Sequence, residues 1–299
     1  EQNDILLSQI DSVISQRKAD STSAPLLVIA PETFTRDITV GNYAGSRTWN
    51  RFTSYLKNYP NVNLLFGAST YEFIHSALPP SSTARKYGQG TWYESRNSAL
   101  MVDGTARTEI FHKSKLVVAV EKTPYPALFC KIDDMLGGVM GRCIGQDEIS
   151  LLNVRYRSPE NGSVENIPVG CAVCYESIYG EYYTDYIRKG AEAMTVITND
   201  AWWGNTPGYR QHLSYSSLRA IETRRAIARC ANTGISAIIS PSGEIVKEAS
   251  WWKKEVLAGA IPLRNDITFF VSHGDITGRV CTFLFLMLLL ALIVRFRKP

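Results

Sequence analysis

The sequence predicts an α/β layered domain followed by one membrane-spanning helix. Strands alternate with helices along most of the chain, no segment reads as a linker that would divide it, and a long uncharged apolar run lies near its carboxyl end. We therefore expect a single domain at residues 1–275. A transmembrane helix with a basic tail should follow at residues 276–299.

The predicted elements follow from local patterns. An amphipathic stretch at residues 5–17 predicts a helix, and apolar runs with turn residues at their ends predict most of the strands. Asp103-Gly104 is a hairpin signal between two short strands, and Pro241 to Glu244 reads as a turn in a carboxyl-terminal meander. Residues 121–166, rich in Gly and Pro, predict a long irregular excursion. The remaining predictions are strands at 26–30, 63–69, 98–102, 108–112, 169–174, 193–198, 235–240, 244–249 and 255–261, and helices at 48–58, 179–188 and 211–231.

Composition narrows the class of protein. The 299 residues are 45% hydrophobic and 20% charged, with a formal net charge of +4, which excludes a disordered or collagen-like chain. No dense basic cluster occurs before the last few residues, so we expect no nucleic-acid partner.

The apolar run at residues 280–294 contains no charge, and residues 276–279 can extend it by a turn. That length suffices to span a bilayer, and a buried core helix is a poor alternative because such helices are rarely apolar on every face. Arg295, Arg297 and Lys298 follow, as expected on the cytoplasmic side. Everything before residue 276 should then lie outside the cytoplasm. Residues 1–20 do not resemble a signal peptide, so we expect further chain upstream.

The six cysteines and four histidines of the chain give little support for a redox or metal site. An extracytoplasmic location permits disulfides, and Cys130 with Cys143 is the favoured pair, although the sequence does not fix it. Cys171 and Cys174 form a CxxC, but they lie in a predicted buried strand rather than at the start of a helix, which disfavours a redox motif. The histidines show no ligand spacing, so we expect no metal.

Three fragments place a reactive side chain where a predicted strand ends. They contain Glu32 after the strand at 26–30, Lys113 after the strand at 108–112, and Cys174 at the end of the strand at 169–174. A carboxylate in a partly dehydrated pocket can deprotonate a thiol. When the thiolate attacks a carbonyl group, a nearby cation and a backbone N–H after the cysteine can stabilise the oxyanion of the tetrahedral intermediate. Together these groups predict acyl transfer through a thioester.

The order of motifs resembles the carbon-nitrogen hydrolase (nitrilase) superfamily, and within it the branch of bacterial lipoprotein N-acyltransferases. The resemblance is carried by Pro31-Glu32, Lys113-x-x-Leu116, GCAVCYESIYGE at 170–181, ITNDAWWG at 197–204, the helix at 219–224 and Asn232-Thr233-Gly234. It implies a four-layer αββα sandwich with Glu32 as general base, Lys113 as oxyanion-stabilising cation and Cys174 as nucleophile. As supporting active-site residues it implies Glu121, Tyr175, Glu176, Trp202 and Glu222.

What this branch implies is a membrane enzyme with no cofactor. A fatty acyl chain would pass from a phospholipid donor through a Cys174 thioester to the amino-terminal amine of a diacylglyceryl-cysteine prolipoprotein. The domain would face the periplasm from the bacterial inner membrane. The alternative is a membrane-anchored amidase that hydrolyses a small amide, and a tethered binding domain without activity is the non-enzymatic one.

The chain departs from the family pattern at three places. Lys115 stands where a histidine is frequent, which leaves Lys113 and Lys115 as candidates, and the spacing to Leu116 favours Lys113. Ala119-Val120-Glu121 replaces a usual Phe-Gly-Glu. Family members also carry upstream membrane helices and a first sandwich strand, so this chain reads as the carboxy-terminal part of a larger enzyme.

Overall fold

The computed structural model describes residues 1–16 and 24–296. The helices are α1 (Gln2–Gln16), α2 (Arg47–Leu56), α3 (Pro126–Met135), α4 (Gly180–Arg188), α5 (Gly208–Thr223), α6 (Phe269–His273) and α7 (Ile276–Phe296). The strands are β1 (Leu26–Ile29), β2 (Thr35–Thr39), β3 (Val62–His75), β4 (Arg85–Gly88), β5 (Thr91–Asp103), β6 (Thr108–His112), β7 (Leu152–Arg157), β8 (Val164–Val173), β9 (Ala193–Asn199), β10 (Ile227–Asn232), β11 (Ala237–Ile239) and β12 (Ile245–Glu248).

Two six-stranded sheets form the centre of the domain. In the first, the order is β1-β3-β5-β4, with β2 beside β3 and β6 beside β5; in the second it is β12-β11-β10-β9-β8-β7. The hairpin predicted at Asp103-Gly104 is present, because β5 and β6 pair antiparallel with Ser98 opposite His112. That register brings the end of β6 beside the middle of β5.

The layers follow from what each sheet face buries. Leu65, Met101 and Phe111 of the first sheet share one apolar cluster with the second sheet and with α4 and α5. The other face of the first sheet packs against α1 and α2 through Phe52 and Leu56. This burial removes apolar surface on both faces of both sheets, which is the main stabilisation of such a domain. The α/β prediction and the αββα sandwich are confirmed.

Several element predictions were wrong. Residues 121–166 are not wholly irregular, since they contain α3, β7 and the first residues of β8. The helix predicted at 211–231 ends at Thr223, where Arg224 adopts a left-handed φ of 52°, and the chain continues as β10. Residues 255–261 form no strand. Arg17, the predicted end of the first helix, lies outside the described residues.

Helix α7 contacts the rest of the domain at its first turn, where Arg279 pairs with Glu181 of α4 at 2.6 Å. It is 21 residues long and strongly apolar, and none of its residues is buried. A helix of this length and composition can cross a bilayer, and the absence of buried residues along it argues against a core helix. Arg295 is described at its carboxyl end, whereas Arg297 and Lys298 lie outside the described residues.

Candidate active site

The three predicted reactive residues follow the carboxyl-terminal ends of β1, β6 and β8, which lie close together. Glu32 lies in the turn after β1, Lys113 follows β6 directly, and Cys174 is the first residue of a short 3-10 helix after β8. The sheets hold these ends rigidly, which is why strand ends suit reactive groups.

The turn at Glu32 is buried against β3. Only 5% of Glu32 is exposed, and the N–H of Gly67 donates to the carbonyl of Pro31 at 3.1 Å. A Cβ at Gly67 would lie 2.5 Å from the Cα of Glu32. Glycine is therefore required for the strand to approach the turn this closely.

Lys113 joins two carboxylates inside the domain. Its Nζ lies 3.1 Å from Oε1 of Glu32 and 2.9 Å from Oε2 of Glu121, and only 1% of the side chain is exposed. Burial opposes the charged form, but the negative charge of Glu32, that of Cys174 once its thiol is ionised, and that of Glu121 hold the pKa of Lys113 above its ordinary value. Lys113 is therefore a fixed ammonium ion at neutral pH.

Asn97 on β5 is a site residue that sequence reasoning missed. Its Nδ2 donates to Oε1 of Glu32 at 2.6 Å and to Oε1 of Glu121 at 2.7 Å. The backbone carbonyl of Asn97 accepts a hydrogen bond from the backbone N–H of Lys113 at 2.8 Å. The sequence did contain a signal for Asn97. The predicted β5–β6 hairpin pairs Ser98 with His112, and this register places the polar Asn97 opposite Lys113.

The two candidate lysines occupy different environments. Lys115 is exposed, and its Nζ lies 5.1 Å from the centre of the Tyr182 ring. This is an ordinary surface cation–π contact. Of the two lysines, only Lys113 contacts Glu32 and Glu121.

Cys174 has a backbone conformation that few residues other than glycine adopt. Its φ is +53°, a left-handed value that occurs mainly where the surroundings enforce it. Burial, and then the negative charge of Glu32, raise the pKa of the Cys174 thiol to about 12, while Lys113 opposes the rise. The thiol is therefore protonated at neutral pH, and a base must remove its proton before it can act as a nucleophile.

Glu176 connects the lysine loop to the cysteine loop. Its Oε1 accepts from the backbone N–H of Ser114 at 2.6 Å and of Lys115 at 3.1 Å, and from the hydroxyl of Tyr182 at 2.7 Å. Its Oε2 accepts from the N–H of Val173 at 2.8 Å. Burial raises the pKa of Glu176 although all four donors favour the carboxylate. Glu176 thus joins the loops rather than lying in the Glu32 cluster.

Tyr175 and Trp202 lie close in sequence to Cys174 and to a partner of Glu32, respectively, whereas Glu222 lies apart from the site of Glu32, Lys113 and Cys174. Tyr175 is partly buried directly after Cys174, with its ring 5.3 Å from that of Tyr179. Trp202 is 74% exposed, three residues after Asn199, whose N–H donates to Oε2 of Glu32. Glu222 is not part of the cluster, because it pairs with Arg219 at 3.0 Å near α6.

The cysteines are free thiols, and Cys130 and Cys143 do not pair. Cys171 is buried within β8, three residues before Cys174. Within residues 1–16 and 24–296, no group of three or more His, Cys, Asp or Glu side chains is arranged to hold a metal ion.

Comparison with known proteins gives one matching family model and a consistent set of relatives. The model of the carbon-nitrogen hydrolase family matches residues 74–265. An apolipoprotein N-acyltransferase of Chlorobaculum tepidum is 32% identical over 213 residues, which are 70% of this chain and 38% of that protein. One of Bradyrhizobium diazoefficiens is 31% identical over 206 residues, 68% of this chain and 36% of its own. This chain therefore spans less than two fifths of the length of these relatives.

Two solved structures share the fold. A carbon-nitrogen hydrolase of Helicobacter pylori has a TM-score of 0.55 at 13% identity, covering 94% of this chain and 89% of its own. Nit3 of Saccharomyces cerevisiae, a member of the nitrilase superfamily, has a TM-score of 0.53 at 15% identity, covering 85% and 82%. At this identity the likeness concerns the sandwich itself.

Proposed function

This chain belongs to the carbon-nitrogen hydrolase family, and from that premise we propose that it carries the active site of an apolipoprotein N-acyltransferase. The observation that supports this best is the buried pair of Glu32 and Lys113 at the strand ends near Cys174, with Glu121 bound to the same lysine, in a domain that continues into an exposed apolar helix. The relatives at about a third identity carry this name. The helix would keep the site beside a lipid surface, which a small amide substrate does not require.

In the first half-reaction Glu32 takes the proton from Sγ of Cys174. The thiolate attacks the ester carbonyl carbon of a phospholipid, and the oxyanion forms beside Lys113 and the N–H of Tyr175. Collapse breaks the ester C–O bond, and the departing glycerol oxygen takes the proton from Glu32. The products are a lysophospholipid and an acyl thioester on Cys174.

In the second half-reaction the amino-terminal amine of a diacylglyceryl-cysteine lipoprotein attacks the thioester carbonyl. Glu32 accepts the proton that the amine loses, and the tetrahedral intermediate forms at the same position as before. Breaking the C–S bond releases the amide product and returns the proton to Cys174. Donor and acceptor thus react in turn on one sulfur.

The membrane arrangement belongs to the same proposal. The domain would lie on the periplasmic side of the bacterial inner membrane, with the basic residues after α7 on the cytoplasmic side. Phospholipid would reach the site from the bilayer in which α7 lies.

The experiment uses the protein as its gene encodes it, reconstituted in phospholipid vesicles without lipoprotein. We expect one fatty-acyl mass on the Cys174 peptide, labile to hydroxylamine. Adding a diacylglyceryl-cysteine peptide should then move the acyl group to that peptide as an amide. The matched controls are Cys174→Ser and Cys171→Ser, of which only the first should lose the adduct.

Two results would overturn the proposal. An adduct on Cys171, or an active Cys174→Ser protein without an adduct, would contradict the choice of nucleophile. Release of free fatty acid at the same rate with and without acceptor, together with turnover of a small amide, would instead support the alternative, a membrane-anchored amidase.

A further inference from the structure

A buried polar network that the mechanism does not use lies behind Cys174. It consists of His212 on α5, Asp200 in the short 3-10 helix after β9, and Arg229 on β10. These residues are 3%, 2% and 3% exposed. Burying polar groups is costly unless each is hydrogen-bonded, so their arrangement is informative.

The imidazole of His212 lies between a carboxylate and the backbone of the nucleophile. Nδ1 is 2.8 Å from Oδ1 of Asp200. Nε2 is 3.2 Å from the carbonyl oxygen of Cys174 and 3.1 Å from Oγ of Ser177. A carboxylate and a carbonyl oxygen can only accept, so His212 makes both contacts with hydrogens on both ring nitrogens, Nδ1–H donating to Asp200 and Nε2–H to Cys174. The hydroxyl of Ser177 donates to the same carbonyl at 2.8 Å.

Asp200 is itself fixed on several sides. Nη2 of Arg229 donates to its Oδ2 at 2.8 Å, and the hydroxyl of Thr198 donates to its Oδ1 at 3.0 Å. A Cβ at Gly234 would lie 2.2 Å from Oδ2, so the backbone there closes over the carboxylate. Because Asp200 cannot move freely, the ring of His212 is fixed as well.

The carbonyl that His212 contacts belongs to the peptide group between Cys174 and Tyr175. A peptide group is planar and trans, so fixing its oxygen also fixes the direction of its N–H. That N–H, on Tyr175, is the oxyanion donor of the proposed function.

We propose that His212, oriented by Asp200, is a positioning residue that holds the Cys174–Tyr175 peptide group in its reactive orientation. This inference rests on the proposed function for its effect on catalysis. Its structural part, that a donor at Nε2 fixes this peptide group, stands apart from any substrate.

Two isosteric replacements separate the ring nitrogens. The amide nitrogen of His212→Gln can occupy the position of Nε2 and donate to Cys174, whereas that of His212→Asn occupies the position of Nδ1 and cannot reach the carbonyl. Ser214→Ala, at an exposed position of the same helix, is the control. Both amides are polar and helix-compatible, so a merely structural role would affect them similarly.

The first measurement is the single-turnover rate of acyl-Cys174 formation at saturating phospholipid. We expect His212→Asn to lose about 100-fold, the order expected when a reacting group is displaced by about 1 Å. His212→Gln should lose less than about fivefold. The phospholipid concentration at half-saturation should stay unchanged in both, because neither change touches the donor.

The second measurement is hydrogen exchange at residues 174–178, which requires no turnover. We expect faster exchange in His212→Asn than in His212→Gln, at equal exchange elsewhere on α5. Equal exchange in the two variants, or equal acylation rates, would overturn the positioning role. If the unaltered protein forms no acyl adduct, the proposed function fails, and the exchange comparison still decides whether His212 holds the peptide group.

Discussion

Oε1 of Glu176 accepts a hydrogen bond of 2.6 Å from the backbone N–H of Ser114. This bond joins the loop that carries Lys113 to the short helix that begins with Cys174. The carboxylate of Glu176 thereby fixes the positions of Lys113 and Cys174 relative to each other, although these two residues are 61 positions apart in the sequence.

Replacing Glu176 should therefore destabilise the domain. In Glu176→Ala the N–H groups of Val173, Ser114 and Lys115 lose a buried acceptor, and unsatisfied buried groups cost about 1 to 3 kcal/mol each before relaxation. We expect a loss of about 2 to 4 kcal/mol, measured by urea unfolding in detergent. Glu160→Ala, at an exposed position, should stay within about 0.5 kcal/mol. Equal stability of the two variants would contradict the joining role.

Glu32 and Lys113 should be separable by pH. Glu32→Gln removes the base, so acylation at pH 7 should fall by about 10² to 10⁴ and recover in part at higher pH, where more thiolate forms. Lys113→Met removes charge stabilisation of the transition state and should fall by about 10² to 10³ without recovery. The measurement is acyl-Cys174 formation between pH 7 and 10.

Lys115→Met is the matched control for the lysine. Its ammonium lies over the Tyr182 ring, away from both carboxylates, so acylation should remain within about threefold of the unaltered protein. An inactive Lys115→Met together with an active Lys113→Met would show that the other lysine is the functional one.

Asn97 should be intolerant of a negative charge. Asn97→Asp places a third carboxylate where Nδ2 now donates to Glu32 and Glu121 at 2.6 and 2.7 Å. Hydrogen bonds to charged groups contribute about 1.5 to 3 kcal/mol, so we expect acylation to fall by about 10- to 100-fold at pH 7. Like charges raise a carboxyl pKa, so stability should be lowest at high pH and recover as the pH falls to 5.

The control for this charge effect is Asn166→Asp on β8, at an exposed position. It should show neither the loss of rate nor the recovery at low pH. A fully active Asn97→Asp would mean that Asn97 is not required to hold the two glutamates.

His112 should make the domain less stable in acid. Burial, and then the charge of Arg96, lower the pKa of His112 to about 4 from 6.5. The unfolded chain then binds a proton that the folded domain does not, so stability is complete above pH 6.5 and is lost as the pH falls toward 4.

At pH 4.5 the cost of the His112 shift should be about 2 to 3 kcal/mol relative to pH 7. His112→Asn can still bond the hydroxyl of Ser98, which now lies 2.7 Å from Nδ1, but it does not titrate in this range. The difference in urea unfolding between pH 7 and 4.5 should therefore be smaller in the variant by that amount. An identical pH dependence would exclude His112 as its source.

The orientation of α7 can be tested with reporter fusions. A reporter that is active only in the cytoplasm, fused after residue 299, should be active, because Arg295, Arg297 and Lys298 favour the cytoplasmic side. Changing all three residues to Gln should reduce that activity. A fusion active only in the periplasm would reverse the topology and remove the argument for a periplasmic site.

Local patterns alone predicted the features that depend on neighbouring residues. Alternating strands and helices predicted the α/β class, the Asp103-Gly104 turn predicted the β5–β6 hairpin, and the uncharged run predicted α7. Glu32, Lys113 and Cys174 could be selected because each follows an apolar strand, and strand ends are visible in sequence. Hydrophobic periodicity and turn chemistry act over a few residues, which is why one sequence suffices for them.

Only the tertiary structure decided which polar groups meet. Asn97 is 65 residues from Glu32, and Glu176 is 62 from Ser114. His212 looked like a scattered histidine until α5 placed it 3.2 Å from the carbonyl of Cys174. The same folding excluded Glu222 from the cluster and formed α3 and β7 within the region predicted to be irregular. Such contacts depend on how the sheets and helices pack. A local sequence pattern does not show which residues far apart in the chain come into contact.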